Sequence, residues 1–262
     1  MDILSEILAR KRSSLETSKR ALPLYELRAI AVDARANALD HSLRNALTGD
    51  GINIIAEFKR RSPSKGIIRE QANAAMIARS YESSGAAAIS VLTEEKYFAG
   101  SLDDLRAVRQ EVRIPILRKD FIVDDYQLYE SAAAGADALL LIVAALDDET
   151  LTRMIRLTEA ELGMDALVEV HTKEEMARAV THGATLIGVN NRDLRTFNVS
   201  TATSVELAQL APADTVLVSE SGLTPEEVRK LQAIGYRGFL VGEDLMRAED
   251  PEQRLRAFRG EN

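Results

Sequence analysis

Cysteine and tryptophan are both missing from the 262 residues, and histidine occurs only three times. Without cysteine there is no disulfide framework, no thiolate nucleophile and no Cys-ligated metal. The histidines do not restore a metal case. His41 lies in the N-terminal region, His182 sits near a helix end where dipole interaction accounts for it, and His171 has no second histidine close by. No apolar run is long enough for a membrane span. Positive charge is in deficit, 33 Lys and Arg against 41 Asp and Glu, for a net charge of −8. General attraction to nucleic acid or to an anionic membrane is therefore not expected. An acidic protein that binds an anion must instead concentrate its cations in the site. Ile3-Leu4 and Ile7-Leu8 stand among Arg10, Lys11 and Arg12, but Asp2, Glu6 and Glu16 make this start unlike a signal or transit peptide. The expectation is a soluble, cytoplasmic protein.

What is present reads as a repeat of strand and helix. Residues 1–50 are helical in pattern: Ile3, Leu4, Ile7, Leu8 and Leu15 form an apolar stripe, followed by amphipathic stretches at 25–38 and 41–47. From residue 52 short apolar runs alternate with helical ones. The spacing predicts strands over 52–59, 87–93, 114–119, 138–143, 166–170, 185–190, 215–219 and 238–242. It predicts helices over 72–84, 102–111, 124–134, 148–162, 173–182, 201–210, 225–234 and 244–259. Gly85, Gly135, Gly163, Gly183 and Gly235 recur between helix end and next strand, as a left-handed cap requires. The strand cores are nearly all apolar, Leu139-Leu140-Leu141-Ile142-Val143 most clearly, as in a parallel sheet covered on both faces. Eight such units predict an α/β fold, a (β/α)8 barrel in one domain with a helical N-terminal extension over 1–50. An open doubly wound sheet is the alternative, but the first strand is not followed by a GxGxxG turn. The extension's apolar stripe is expected to cover the barrel and its loop to gate the mouth.

In a barrel the C-terminal tips of the strands converge on one mouth. Read in order, these tips carry Glu57 and Lys59, Thr93, Lys119, Glu169, Asn190, Glu220 with Ser221 and Gly222, and Gly242. Glu57 and Lys59 share a strand face because they are two residues apart. Taken alone they could be a surface ion pair, but the same design recurs at other strand ends. Ser221, Gly222 and Gly242 follow the last two strands, where barrels bind phosphate through backbone N–H groups; a tight turn is the alternative for Ser-Gly. Lys59 and Lys119 place two cations in one mouth, and like charge with desolvation is expected to lower a lysine's pKa towards general-acid work. Glu169, ending an apolar strand, suits a base. Phe98 and Phe121 suit either a flat apolar slot or core packing.

These motifs resemble, over nearly the whole chain, the indole-3-glycerol phosphate synthase family of tryptophan biosynthesis. The resemblance rests on Ile55-Ala56-Glu57-Phe58-Lys59-Arg60-Arg61-Ser62-Pro63-Ser64-Lys65-Gly66 and on Ser90-Val91-Leu92-Thr93-Glu94-Glu95-Lys96-Tyr97-Phe98-Ala99-Gly100-Ser101. Pro115-Ile116-Leu117-Arg118-Lys119-Asp120-Phe121-Ile122, Leu167-Val168-Glu169-Val170-His171 and Ile187-Gly188-Val189-Asn190-Asn191-Arg192-Asp193-Leu194 follow in order. Ser219-Glu220-Ser221-Gly222 and Phe239-Leu240-Val241-Gly242 complete the set. The resemblance implies a carboxy-lyase that closes the ring of 1-(2-carboxyphenylamino)-1-deoxyribulose 5-phosphate, giving indole-3-glycerol phosphate, CO2 and water without a cofactor. It implies Lys119 as the acid, Glu169 as the base of dehydration, and Glu57 and Lys59 as assistants. It implies Ser62, Asn190, Arg192 and Glu220 around the substrate's carboxylate and hydroxyls, and Phe98 and Phe121 beside its anthranilate ring. Ser221, Gly222 and Gly242 match the phosphate cradle, although Glu243-Asp244 stand where a small hydroxyl residue is expected. Two carboxylates beside a phosphate would repel it unless they turn outward. The expected partner is the small phosphorylated substrate, with no nucleic acid or membrane, the protein being a monomer or weak homo-oligomer. Competing readings are phosphoribosylanthranilate isomerase, a lysine Schiff-base aldolase, or a non-catalytic binding subunit. The isomerase's Cys–Asp pair has no cysteine here.

Overall fold

The computed structural model describes residues 3–193 and 196–261; Asp2 of the N-terminal charge pattern and Leu194 of the Asn190 motif lie outside them. Three helices come first: α1 (Ile3–Ala21), α2 (Leu24–Arg35) and α3 (Ser42–Leu47). Strand β1 (Asn53–Phe58) opens the barrel, and a small hairpin, β2 (Arg61–Ser62) with β3 (Gly66–Ile67), stands in the loop after it. There follow α4 (Ala74–Ser83), β4 (Ala88–Leu92), α5 (Leu102–Glu111), β5 (Ile116–Lys119), α6 (Asp125–Ala133), β6 (Ala138–Ile142) and α7 (Asp148–Arg156). The second half adds β7 (Asp165–Val170), α8 (Lys173–Thr181), β8 (Leu186–Asn190), α9 (Ala202–Ala208), β9 (Val216–Glu220), α10 (Pro225–Ala233) and β10 (Gly238–Val241). The chain ends with α11 (Glu243–Arg247) and α12 (Pro251–Arg259). Strands β1 and β4 to β10 pair in parallel and close, β10 on β1, into an eight-membered barrel.

Local chemistry accounts for the element ends. Ser101, Asp124, Asp147, Thr172, Thr224 and Asp250 each accept a backbone N–H of the first helical turn that follows, satisfying an otherwise orphaned donor. All five predicted cap glycines have positive φ, between 60° and 107°. Two readings need correction. The predicted helix 244–259 is two helices: Asp250 caps a new one and Pro251 takes its first turn, which Pro enters without losing a bond. The predicted helix 148–162 ends as α-helix at Arg156 and continues as one π turn, Leu157–Glu161.

Alternation along each strand separates two cores. Ile55, Ala88, Leu117, Ala138, Leu140, Leu167, Leu186 and Val218 point inward and fill the barrel. Ile54, Ala56, Ile116, Leu139, Leu141 and Val168 point outward beneath the helices. Both faces of the barrel strands are thus dry, which explains the nearly continuous apolar runs. Helix α3 plugs the N-terminal end of the barrel. Leu43 and Leu47 are fully buried within the interior cluster, and Asn53 fastens the plug by donating to Leu47 O (3.0 Å), Gly49 O (3.2 Å) and Arg237 O (3.0 Å). Burying each leucine is worth roughly 1.5–3 kcal/mol. Helix α1 goes to the opposite end, where Ile3, Leu4 and Ile7 line the mouth cavity.

Candidate active site at the barrel mouth

One residue beyond the apolar interior, the same inward faces carry charge. Ile55 is followed by Glu57, Leu117 by Lys119, Leu167 by Glu169 and Val218 by Glu220, always two positions on. The side chains converge at the floor of a cavity of about 1030 Å³. Lys119 Nζ lies 2.9 Å from Glu169 Oε2 and 3.2 Å from Glu220 Oε2, and Lys59 Nζ donates to Glu57 Oε1 at 2.5 Å. Glu57, Glu169 and Glu220 are only 4%, 2% and 2% exposed, so three carboxylates and two ammoniums share a poorly hydrated floor.

That ratio sets the electrostatics and overturns one expectation. Burial alone would lower the Lys119 ammonium, but the carboxylates of Glu169, Glu220 and Glu57 outweigh it and hold the group above its ordinary value. Lys119 is a firmly protonated donor, not a lysine with a lowered pKa. Burial works against the Glu169 carboxylate too, yet Lys119 and His171 keep it ionised, below the usual range. Glu220 carries the surplus. Burial pushes it up to about 7, with Glu169 and Glu57 adding to the rise against the pull of Lys119. Its Oε1 is buried without a hydrogen-bond partner among the described residues. Gly188 makes this placement possible, because a Cβ there would lie 2.3 Å from Glu220 Oε1.

The other predicted residues assemble around this floor. Ser62, on the hairpin, is buried with its Oγ unpartnered among the described residues, and lines the cavity. Asn190 ends β8 and accepts from the Arg192 backbone N–H at 3.0 Å, while Arg192 Nη1 donates to Phe197 O at 3.3 Å. Phe98 and Phe121 both line the cavity, with ring centroids 6.2 Å apart and planes at 40°, and Phe121 also packs against the interior core. Ser221 and Gly222 are consecutive left-handed residues (φ 66° and 71°) at the rim. Gly242 caps α11, and a Cβ on it would meet Glu57 Oε1 at 2.2 Å, so this glycine also makes room for a floor carboxylate. The two acidic residues after it still line the cavity, but paired rather than turned away: Glu243 with Lys65 (3.9 Å) and Arg247 (3.2 Å), Asp244 with Arg254 Nη2 (2.7 Å).

Thr93 does not belong to the floor. It faces outward and donates to Asp120 Oδ2 at 2.6 Å. Asp120 is the centre of a buried cluster that sequence reasoning missed: it also accepts from Lys11 of α1 (2.9 Å), Arg118 (3.1 Å) and the Phe121 backbone N–H (2.8 Å). Burial opposes its charge, but Lys11 and Arg118 prevail and hold it at about 2. The signal was available in part, since Arg118 and Asp120 flank Lys119, but a partner 109 residues away is invisible to local pattern.

A closed parallel barrel with acid–base groups at its C-terminal mouth and cations around the rim defines a barrel enzyme. The chain matches the family described as indole-3-glycerol phosphate synthase over residues 4–258. It is 48% identical over 258 residues to the indole-3-glycerol phosphate synthase of Carboxydothermus hydrogenoformans, covering 96% of this chain and 97% of the relative. It is also 48% identical over 262 residues to that of Micrococcus luteus, covering 99% and 97%. Among solved structures, 3-hexulose-6-phosphate synthase superposes with a TM-score of 0.64 at 14% identity, over 80% of this chain and 99% of that one, a likeness of fold alone. The chain belongs to the indole-3-glycerol phosphate synthase family.

Proposed function

We propose that the floor of this mouth closes the indole ring of 1-(2-carboxyphenylamino)-1-deoxyribulose 5-phosphate, releasing CO2 and water. The observation that carries the reading is Lys119, a largely shielded ammonium set between Glu169 and Glu220 beneath an aromatic wall, in a chain of this family. Lys119 donates a proton to the substrate's carbonyl oxygen as the aromatic carbon attacks. Decarboxylation restores the ring, and Glu169 takes up the proton in the later dehydration. Glu57 and Lys59 form a second acid–base couple beside them. Ser62, Asn190, Arg192 and Glu220 hold the carboxylate and hydroxyls. Ser221, Gly222 and Gly242 offer backbone N–H groups to the phosphate. The family's reaction needs proton donors and acceptors throughout. We also take residues 1–50 and the barrel as one unit, the extension covering both of its ends.

A Schiff-base aldolase needs a neutral lysine amine, and the carboxylates around Lys119 work against one. The direct test is fluorescence at indole wavelengths after mixing protein and substrate, for which a chain without tryptophan gives a low background. Signal from the wild type and none from Lys119→Met supports the reading. A folded wild type giving no signal overturns it.

A further inference from the structure

The loop between β4 and α5 contains two adjacent glutamates with opposite fates. Glu95 has a side chain 71% exposed, while Glu94 is 3% exposed and turns back under its own loop. Glu94 Oε2 accepts the backbone N–H groups of Tyr97 (2.7 Å) and Phe98 (3.1 Å), and Oε1 that of Lys96 (3.1 Å). Its own carbonyl accepts from Gly100 N at 2.9 Å. The loop is otherwise costly. Ala99 has φ 54°, where a side chain is strained, and a Cβ at Gly100 would sit 2.0 Å from Leu92 O. Arg60 fastens the far side, donating to Ala99 O (3.2 Å) and to both Asp104 oxygens (2.6 and 2.7 Å). The part of the loop that reaches the cavity is Phe98.

We propose that Glu94 is the positioning residue of the aromatic wall: its buried carboxylate gathers three successive backbone N–H groups and so holds Phe98 beside Phe121 for the substrate's anthranilate ring. This rests on the ring-closure reading of the site. Charge-assisted bonds to backbone N–H are about twice as strong as neutral ones, and removing the acceptor leaves three donors to find water. Glu94 touches neither the floor lysines nor the rim in any contact described above. Its loss therefore weakens the grip on the ring equally in ground and transition states, which raises KM and spares kcat.

The experiment compares wild type, Glu94→Ala, Glu94→Gln, Glu95→Gln, Phe98→Leu and the double variant Glu94→Ala/Phe98→Leu. Turnover gives KM and kcat, anthranilate probes the ring wall, and inorganic phosphate probes the rim. Glu94→Ala is expected to raise KM about tenfold with kcat within about threefold, and to weaken anthranilate but not phosphate. Glu95→Gln is expected to change anthranilate binding less than about twofold. In the Phe98→Leu background, Glu94→Ala is expected to add almost nothing, because the two act through one contact. A general structural role would give additive losses and equal weakening of both probes, which overturns the proposal, as does an unchanged KM. Should Glu94→Ala fail to fold, Glu94→Gln keeps one acceptor oxygen and is read by the same split. A wild type that binds anthranilate without turnover overturns the ring-closure reading, and the anthranilate arm still judges Glu94.

Discussion

The two ends of the barrel are built from the same strands and reach similar burial by opposite chemistry. At the N-terminal end, Leu43 and Leu47 of α3 seal an apolar layer of Ile55, Leu117, Leu167 and Val218. Two residues further along those strands stand Glu57, Glu169 and Glu220, nearly as dry as the leucines, with Lys119 a little more exposed between them. Packing secures the first end. At the second, each charge is tolerable only because its partners are charged, and three carboxylates against two lysines leave the cluster poised around one proton. Stability is thus invested at the plugged end and reactivity at the open one.

Breaking the open end should cost the most activity. Lys119→Met is expected to lower kcat by roughly 10²–10⁴-fold, read by indole fluorescence, while circular dichroism shows a folded barrel. Leu47→Ala should do the reverse. Its cavity is expected to cost about 2–5 kcal/mol in urea unfolding, with kcat per folded molecule unchanged; an equal loss of kcat would show that the two ends are coupled.

The pH response sharpens the same contrast. Glu220 titrates at about 7 in the folded protein against an ordinary 4.5, so the fold binds its proton more tightly than the unfolded chain does. The stabilisation is complete below the unfolded value and is lost as pH rises through about 7. Unfolding midpoints should therefore fall across that window in the wild type and in Leu47→Ala, and fall less in Glu220→Gln, where His171, lowered by burial but held up on balance by Glu175 and Glu169, still loses stabilisation as pH rises. The smallest expected effect lies at the rim. Glu243→Ser releases Lys65 and Arg247 from a carboxylate, so turnover should persist while KM falls by about two- to threefold, an exposed pair being worth at most about 1 kcal/mol. A large loss of kcat would give Glu243 a role in the chemistry.

The barrel was legible because its constraint is local and repeated: the barrel strands are dry on both faces, and five of the helix-to-strand turns carry a left-handed glycine. The break before α12 was legible as well, in Asp250-Pro251, although apolar periodicity ran across it. The floor residues could be read from strand ends, but parity was misjudged at Thr93, which faces outward. The state of Lys119 was not legible, since it depends on how many carboxylates converge from distant strands. Nor could sequence tell Glu94 from Glu95, or join Lys11 to Asp120. Those are properties of the closed molecule.

Closure has a consequence for synthesis. Leu47 packs where a side chain on Gly238 would lie, Asn53 bonds Arg237, and β1 pairs with β10. Helix α3 and strand β1 thus wait for β10, far along the chain, before their leucines find shelter. Such distant contacts slow folding and leave apolar faces uncovered on the growing chain. A polypeptide stopped short of residue 238 lacks the strand that β1 pairs with and that Leu47 packs against, so the barrel cannot close until β10 is made.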